Sequence, residues 1–162
     1  MKGGSLSSDE KVMIALVRVA EFFKRRSSCI FNYHGLSFSQ YNVLRLLETA
    51  PGGRLSITEI SRRLLVSTPN MSGIAKRLEK SEFATRGSDE HDERKTILEI
   101  TPKGRKVVSD IRSDQESNVR DFLDCCPDAQ RSDMLRMLKK MLELGDYDLR
   151  GRLALNREKK IP

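Results

Sequence analysis

The chain has 162 residues, of which 33% are charged and 38% hydrophobic, and its formal net charge is +7. This length suffices for one domain with a core, and the positive charge favours a polyanionic partner because neutralising phosphates releases counterions. The longest apolar run, Val12–Val17, is too short to span a bilayer, and three cysteines give no disulfide framework. With no secretory signal pattern, we expect a soluble cytoplasmic protein without membrane association.

The first predicted element is a helix that begins at Ser8 or Asp9 and runs to about Phe31. One apolar stripe repeats at helical spacing, and it consists of Val12, Leu16, Val19 and Phe23. Further apolar residues fall outside it, namely Ile14, Val17 and Phe22. A helix that is apolar on more than one face must be covered on more than one face. We therefore expect it to lie between its own domain and a second subunit.

Two shorter helices follow a turn at Gly35. Ser39 is the predicted cap of "QYNVLRLLET", and "APGG" ends that helix because proline and glycine do not continue it. Its inward side chains are Val43, Leu44 and Leu47. After a short extended piece, "RLS", the third helix is "ITEISRRLL". Its apolar residues Ile57, Ile60 and Leu64 lie opposite Thr58, Glu59, Arg62 and Arg63.

The fourth predicted helix begins near Ser67 and covers residues 67–81. Its apolar face has the i, i+3, i+4, i+7 spacing of a buried stripe and consists of Met71, Ile74, Ala75 and Leu78. The opposite face, at about 100° per residue, holds Pro69, Ser72, Gly73, Lys76 and Lys80, flanked by Asn70 and Arg77. This face is small, polar and basic, which suits a groove lined by phosphates.

A hairpin and two helices complete the pattern. "FATRG" and "KTILEI" alternate as two short strands. Thr101 caps and Pro102 begins a fifth helix, whose apolar side is marked by Val108, Ile111, Val119 and Phe122. "CCPDAQ" is a predicted break, and "SDMLRMLKKMLELG" is a sixth helix that is again apolar on two sides. The basic stretch 146–162 has a weak pattern and is predicted to be a partly disordered tail.

Three short helices followed by a hairpin are the elements of a winged helix-turn-helix. The chain resembles the MarR (multiple antibiotic resistance regulator) family in "LSFSQYNVLRLLE", "LSITEISRRLLVS", "RLEK" and above all "DERKTILEITPKG". The family's wing carries Asp-x-Arg, a strand, and then Leu-Thr-x-x-Gly. Here these positions hold Asp92, Arg94, Ile100, Thr101 and Gly104. The resemblance covers nearly the whole chain except the tail.

This resemblance implies a mainly α fold with a small β-hairpin wing, in which dimerisation helices flank the winged helix-turn-helix. The implied divisions are an N-terminal dimerisation helix (1–36), a DNA-binding region (37–101), C-terminal dimerisation helices (102–145) and the tail (146–162). It also implies a homodimeric, non-enzymatic transcriptional regulator, usually a repressor, on a pseudo-palindromic operator in double-stranded DNA. Helix 67–81 would enter the major groove and wing 86–97 the minor groove, with Arg94 as the probe and Asp92 as its anchor.

The residues expected to contact DNA lie on the third and fourth helices and on the wing. They are Arg62, Arg63, Ser67, Thr68, Pro69, Asn70, Ser72, Gly73, Lys76, Arg77, Arg86, Asp92, Arg94 and Lys95. Two positions depart from the family pattern, because Glu93 stands where a basic residue is frequent and Gly73 where an arginine is common. Gly73 either lets the helix backbone approach DNA closely or reflects packing at a crowded spot or drift.

The resemblance also suggests a small aromatic or phenolic effector, in a crevice lined by Phe31, Tyr33, His34 and Tyr41, although aromatic residues at such a junction are also ordinary core residues. A redox-sensing regulator acting through Cys29 is an alternative. The competing interpretation of Cys29 is a buried and inert thiol. A winged-helix module used only for protein association is another alternative. A zinc site of Cys29, His34, Cys125 and Cys126 is not expected, because the fifth helix is about 33 Å long and separates the cysteines. We expect no metal and no cofactor, and no hydrolase or phosphate-loop motif is present.

Overall fold

The computed structural model describes residues 6–89, 92 and 94–145, with side chains to residue 143. The predicted tail, together with His91 and Glu93, lies outside the described residues. The elements in chain order are α1 (Ser8–Tyr33), α2 (Phe38–Thr49), a 3-10 turn (Pro51–Gly53), β1 (Arg54–Ser56), α3 (Ile57–Leu64), α4 (Thr68–Lys80), β2 (Ala84–Ser88), β3 (Thr96–Ile100), α5 (Pro102–Leu123) and α6 (Asp128–Gly145). The chain divides into two compact units, and the boundary between them follows Val119.

The first two helices begin with reciprocal capping boxes. Ser7 accepts a hydrogen bond from the Glu10 N–H (3.1 Å) and donates its own N–H to the Glu10 carboxylate (2.8 Å). Ser37 and Gln40 repeat this arrangement at the start of α2. The predicted caps at Ser8 or Asp9 and at Ser39 are therefore wrong by one or two residues. The Ser-x-x-Glu/Gln spacing was the available signal, since it satisfies two backbone N–H groups at once.

Three helices of the larger unit end in the same hydrogen-bonded turn. After α1, α3 and α4 the chain passes through one residue with positive φ, and the following N–H donates to a carbonyl five residues back. These left-handed residues are Gly35 (φ 73°), Leu65 (φ 52°) and Glu82 (φ 61°). This is the Schellman geometry, which favours glycine. Only the first of the three positions has glycine. The other two residues have a β-carbon, for which the left-handed conformation is unfavourable.

The sheet contains three strands rather than the hairpin alone. Its order is β1-β3-β2, and both pairs are antiparallel. Leu98 of β3 pairs with Leu55 on one side and with Arg86 on the other. The sequence predicts the extended segment "RLS" but not its pairing with β3, since the two segments are about 40 residues apart in the chain and only tertiary folding brings them together.

The core lies among α2, α3, α4, β3 and the first half of α5. The predicted inward residues of α2, which are Val43, Leu44 and Leu47, are fully buried. The predicted apolar face of α4 is confirmed as well, since Met71, Ile74, Ala75 and Leu78 are all buried. Val108 and Ile111 bring α5 into the same core. The core thus fixes which face of α4 is left for a partner.

A close contact joins the start of α5 to the entry of β2. Thr101 donates its backbone N–H to the Phe83 carbonyl (3.1 Å) and its hydroxyl to the Glu82 carbonyl (2.7 Å). The same hydroxyl accepts the Gly104 N–H (3.0 Å), which confirms Thr101 as the cap of α5. A β-carbon on Gly104 would lie 2.1 Å from the Phe83 carbonyl oxygen. Glycine is therefore required here by the approach of two backbones.

A buried polar network fastens α1 to α5 within the larger unit. The Asn118 side chain donates to the Ser27 hydroxyl (3.0 Å) and accepts from the Arg26 guanidinium (2.5 Å). Gln115 donates to the same hydroxyl (3.4 Å). Ser27 is fully buried and Asn118 is 6% exposed. These bonds fix the register of two helices that the apolar pattern alone leaves free to slide.

Large apolar side chains remain exposed on α1 and on α6. On α1 these are Val12, Met13, Ile14, Val17, Val19 and Phe22, and on α6 they are Leu135, Met137, Met141 and Leu142. Their cover by a second subunit stays a prediction.

The sixth helix begins at Asp128 rather than at Ser132, so the predicted break is too long. Asp128 forms an ion pair with Arg131 (2.9 Å) in the first turn, which extends the helix towards Pro127.

Candidate nucleic-acid interface

The outer face of α4 is exposed along its whole first turn. Ser67, Thr68, Pro69 and Asn70 are exposed, as are Lys76 and Arg77, whereas Ser72 and Gly73 are half-buried. The first turn contains no acidic residue. The positive end of the helix dipole and its N–H groups are therefore open to an anion. All the residues predicted from this helix lie on the face that the core leaves uncovered.

Gly73 is not held by crowding. A β-carbon at this position would have only Nη1 of Arg77 as a neighbour, at 3.7 Å, which is an ordinary contact. Of the alternatives that the sequence left open, packing at a crowded spot is therefore excluded. Close approach of the helix backbone to a partner, and drift, are the explanations that stay open.

The two arginines of α3 share one carboxylate. Arg62 donates to both oxygens of Glu59 (2.8 and 2.9 Å), and Arg63 donates to Oε1 (2.6 Å). These hydrogen bonds hold the pKa of the Glu59 carboxyl below its ordinary value. The sequence placed the three residues on one polar face but did not predict the pairing. The local excess of positive charge is therefore one rather than two, and a phosphate must compete with Glu59.

Predicted contacts from three separate elements converge on one concave surface. A groove of about 940 Å³ lies between α3 and the sheet, and its lining includes Arg63, Arg86 and Lys95. Arg86 is half-buried, and its guanidinium lies 3.8 Å from the Glu79 carboxylate at the end of α4. Glu59, Asp89 and Glu99 also line the groove. The surface therefore carries both signs of charge, and its basic side chains are oriented by acidic neighbours.

The wing turn is built around Asp92. Its carboxylate accepts the backbone N–H of Arg94 (3.2 Å), and its carbonyl accepts the N–H of Lys95 (2.9 Å). Its own N–H donates to the Asp89 carboxylate (3.1 Å), and its Oδ2 lies 3.5 Å from the Lys95 ammonium. Asp92 therefore organises the turn through the backbone of Arg94, rather than through a described contact with the guanidinium. The Arg94 side chain is exposed.

Residues 34–95 match a family model described as the MarR family. This part of the chain is similar to the MarR family. The HTH-type transcriptional regulator TtmR of Methylorubrum extorquens (strain PA1) is 34% identical over 99 residues, which are 61% of this chain and 50% of that relative. The chain therefore matches only half the length of TtmR.

Solved structures show the same MarR-type fold over most of the chain. AbsC, a MarR family transcriptional regulator from Streptomyces coelicolor, has a TM-score of 0.79 at 19% identity and covers 92% of this chain and 99% of its own. A second regulator of that family and organism, solved in complex with DNA, has a TM-score of 0.78 at 18% identity and covers 92% and 94%. The mainly α fold with a winged helix-turn-helix is thereby confirmed.

The aromatic residues predicted to line one crevice are separated in the structure. Phe31 is fully buried and stacks on Tyr41 with ring centroids 4.0 Å apart, so these two rings belong to the core. Tyr33 is 89% exposed and meets only the edge of His34 among the described ring contacts. A small cavity of about 210 Å³ lies elsewhere, lined by Lys24, Phe38, Ser39, Asn42, Leu64, Val66, Met71 and Ile74.

Cys29 also departs from one of the expectations. Cys29 is exposed, not buried as the inert-thiol interpretation required, and its thiol approaches the Arg25 carbonyl at 3.7 Å. Cys125 is exposed and Cys126 is half-buried. Within the described ranges, no three His, Cys, Asp or Glu side chains group as a metal site. Over the same residues, no helix is long and apolar enough to cross a membrane.

Proposed function

We propose that this protein is a homodimeric, sequence-specific DNA-binding transcriptional regulator that acts as a repressor in the cytoplasm and has no enzymatic activity. The observation that carries the proposal is the orientation of α4. One face is fixed in the core by four buried side chains, and the other presents exposed polar and basic residues beside an exposed wing arginine. This division of faces is what a recognition helix needs, because the core sets its position and its outer side chains read the groove.

The proposed assignment follows the elements. Region 37–101 binds DNA, with helix 67–81 in the major groove and wing 86–97 reaching the adjacent minor groove. Regions 1–36 and 102–145 form the dimer. The exposed apolar residues of α1 support this role, since six large side chains on one helix form a patch that a soluble monomer rarely leaves open. Two-fold symmetry then calls for a pseudo-palindromic operator with half-sites about 10 bp apart.

The first experiment is selection of genomic fragments by the purified protein, followed by binding to the best fragment over a range of salt concentrations. We expect an inverted repeat, bound by two chains, with affinity that falls steeply as salt rises. Binding without sequence preference would contradict the proposal and favour a winged-helix module for protein association. Repeating the titration after peroxide treatment tests the redox alternative. That alternative requires peroxide to alter the affinity for DNA, and it requires Cys29→Ser to remove this effect.

Arg94→Ala tests the role of the wing. The side chain is exposed and its backbone N–H is held by Asp92, so we expect the turn to persist and only the guanidinium contact to be lost. Affinity should fall by about 1–3 kcal/mol and the salt slope by about one. Arg136→Ala, an equal loss of charge on α6, is the matched control. Equal affinities for Arg94→Ala and the unmodified protein would remove the wing from the mechanism.

An effector is proposed at the 210 Å³ cavity rather than among the four aromatic residues. The cavity joins α1 and α2 to Met71 and Ile74 on the inner face of α4, so a ligand there would contact the recognition helix. Its volume is below the range of about 300–1,000 Å³ for drug-sized ligands, which favours a compound with one aromatic ring. Lys24 and Asn42 supply polar groups for a carboxylate or hydroxyl.

Thermal unfolding with a panel of phenols and aromatic acids tests this site. A compound at about 100 times its Kd should stabilise the protein by about 2.7 kcal/mol, and the same compound should change the affinity for the operator. Asn42→Leu fills part of the cavity and removes a polar group, so its melting temperature should no longer respond. The cavity loses its proposed role if no compound raises the melting temperature, or if Asn42→Leu responds like the unmodified protein.

A further inference from the structure

Two thiols meet in the turn between α5 and α6, inside the smaller unit. Cys125 and Cys126 are adjacent in the chain, and their sulfur atoms lie 3.8 Å apart. In an extended strand, neighbouring side chains point to opposite sides, so it is the turn that brings these two together. Cys125 is exposed and Cys126 is half-buried, which leaves the pair open to a small reagent.

The turn is held by hydrogen bonds on both sides of the pair. The Cys126 N–H donates to the Leu123 carbonyl (2.9 Å). The Arg131 guanidinium reaches the same carbonyl (3.0 Å) and also the Asp128 carboxylate (2.9 Å). The thiols are therefore presented together by a fixed backbone, so a ligand that binds both has less conformational entropy to remove.

The geometry favours an atom between the sulfurs over a bond joining them. Adjacent Cα atoms are about 3.8 Å apart, whereas disulfides ordinarily span Cα separations of about 4.4–6.8 Å. Two sulfurs bonded to one central atom at about 2.3 Å lie at most about 4.6 Å apart. The observed separation of 3.8 Å thus fits a bent sulfur–atom–sulfur unit without moving either side chain far.

The donor set narrows the identity of that atom. A structural zinc ion takes four protein ligands, and the described residues provide no group of even three candidate ligands. A trivalent arsenic atom that carries one organic group needs only two sulfurs to fill its remaining bonds. The hydrogen bond with Cys125 raises the pKa of the Cys126 thiol. The raised pKa does not oppose the formation of arsenic–sulfur bonds, because that reaction consumes protonated thiols.

We propose that Cys125 and Cys126 form a bidentate dithiol site that captures trivalent arsenicals. In the step, the arsenic–oxygen double bond of an organoarsenous oxide is exchanged for two arsenic–sulfur bonds. Both thiol protons leave with the oxygen as one water molecule. Arsenic stays trivalent, so no oxidant or reductant is needed. The site uses no residue of the winged region.

Native mass spectrometry of the reduced full-length chain with phenylarsine oxide tests the proposal. We expect one adduct per chain that survives a large excess of a monothiol and is removed by 2,3-dimercaptopropanol. Cys125→Ser and Cys126→Ser each leave one thiol in the turn, and we expect at least about tenfold weaker retention against the monothiol. Cys29→Ser is the matched control and should behave as the unmodified protein.

Three results would overturn the site. The first is removal of the adduct from the unmodified protein by the monothiol, which would mean that only one sulfur holds it. The second is full retention by either serine variant of the pair. The third is loss of retention in Cys29→Ser, which would place a different pair of cysteines at the arsenic.

Discussion

Replacing Gly73 and Gly104 separately by alanine adds the same methyl group to two helices of one domain, and the expected effects on stability have opposite signs. Alanine is favoured over glycine inside a helix by about 1 kcal/mol, because glycine loses more backbone entropy on folding. That contribution acts at both positions. The surroundings of the new methyl group therefore decide the outcome.

At position 73 the surroundings are open. The nearest atom to the added β-carbon is Nη1 of Arg77 at 3.7 Å, at the end of a flexible side chain. No contact has to change, so Gly73→Ala should raise the free energy of unfolding by about 0.5–1 kcal/mol. Binding to DNA then separates the two remaining explanations of this glycine. Weaker binding by the more stable variant indicates that the helix backbone approaches DNA closely, and unchanged binding indicates drift.

At position 104 the methyl group meets backbone. Its β-carbon would lie 2.1 Å from the Phe83 carbonyl oxygen and 2.9 Å from Ile100. A tolerable carbon–oxygen contact is about 3.3 Å, so the start of α5 must move by about 1.2 Å. That movement strains the hydrogen bond from the Thr101 N–H to the same carbonyl. Overpacking of about 1–3 kcal/mol and a lost hydrogen bond of about 1 kcal/mol outweigh the helix preference. We expect a net loss of about 1–3 kcal/mol.

Urea unfolding followed by circular dichroism measures both variants, at one protein concentration because a dimer's stability depends on it. The midpoint should rise for Gly73→Ala and fall for Gly104→Ala with little change in slope. Equal shifts of the same sign would refute the reasoning, since they would mean that helix preference alone governs both positions. A Gly104→Ala variant as stable as the unmodified protein would show that α5 and the entry of β2 separate without cost.

Three further changes test other parts of the structure. Leu65→Gly removes a side chain that is 75% exposed and held at φ 52°. We expect the free energy of unfolding, measured in urea, to rise by about 0.5–1 kcal/mol. A decrease would show that the leucine side chain makes stabilising contacts. Asn118→Ala removes donors and acceptors from a buried network that includes Ser27, and should lower the free energy of unfolding by about 1–3 kcal/mol; a change within error would mean that water replaces the amide. Glu59→Gln replaces the carboxylate that pairs with two arginines of α3 by a neutral amide. Fluorescence anisotropy should therefore show tighter DNA binding and a salt slope steeper by about one. Weaker binding would show that Glu59 holds the arginines in the orientation that DNA binding needs.

The sequence by itself determined the elements whose signals are local. The spacing of Met71, Ile74, Ala75 and Leu78 specified both the existence of α4 and its buried face, because a helical repeat of apolar residues has one way to face a core. Thr101 followed by Pro102 located the start of α5, because this signal is also local. The Thr101 cap and the absent backbone N–H of Pro102 both act within the first turn of the helix. The wing motif carried the resemblance to the MarR family, because its residues lie close together in the chain.

Tertiary structure decided everything that depends on distant segments. The pairing of β1 with β3, the contact that requires Gly104, and the network around Asn118 join residues far apart in the chain, and no local pattern encodes their approach. Neighbouring side chains were separated in the same way: Phe31 entered the core beside Tyr41, while Tyr33, two residues on, faces solvent. Periodicity predicts which residues share a face of one element, but the packing of several elements decides whether that face meets the core, a cavity or water.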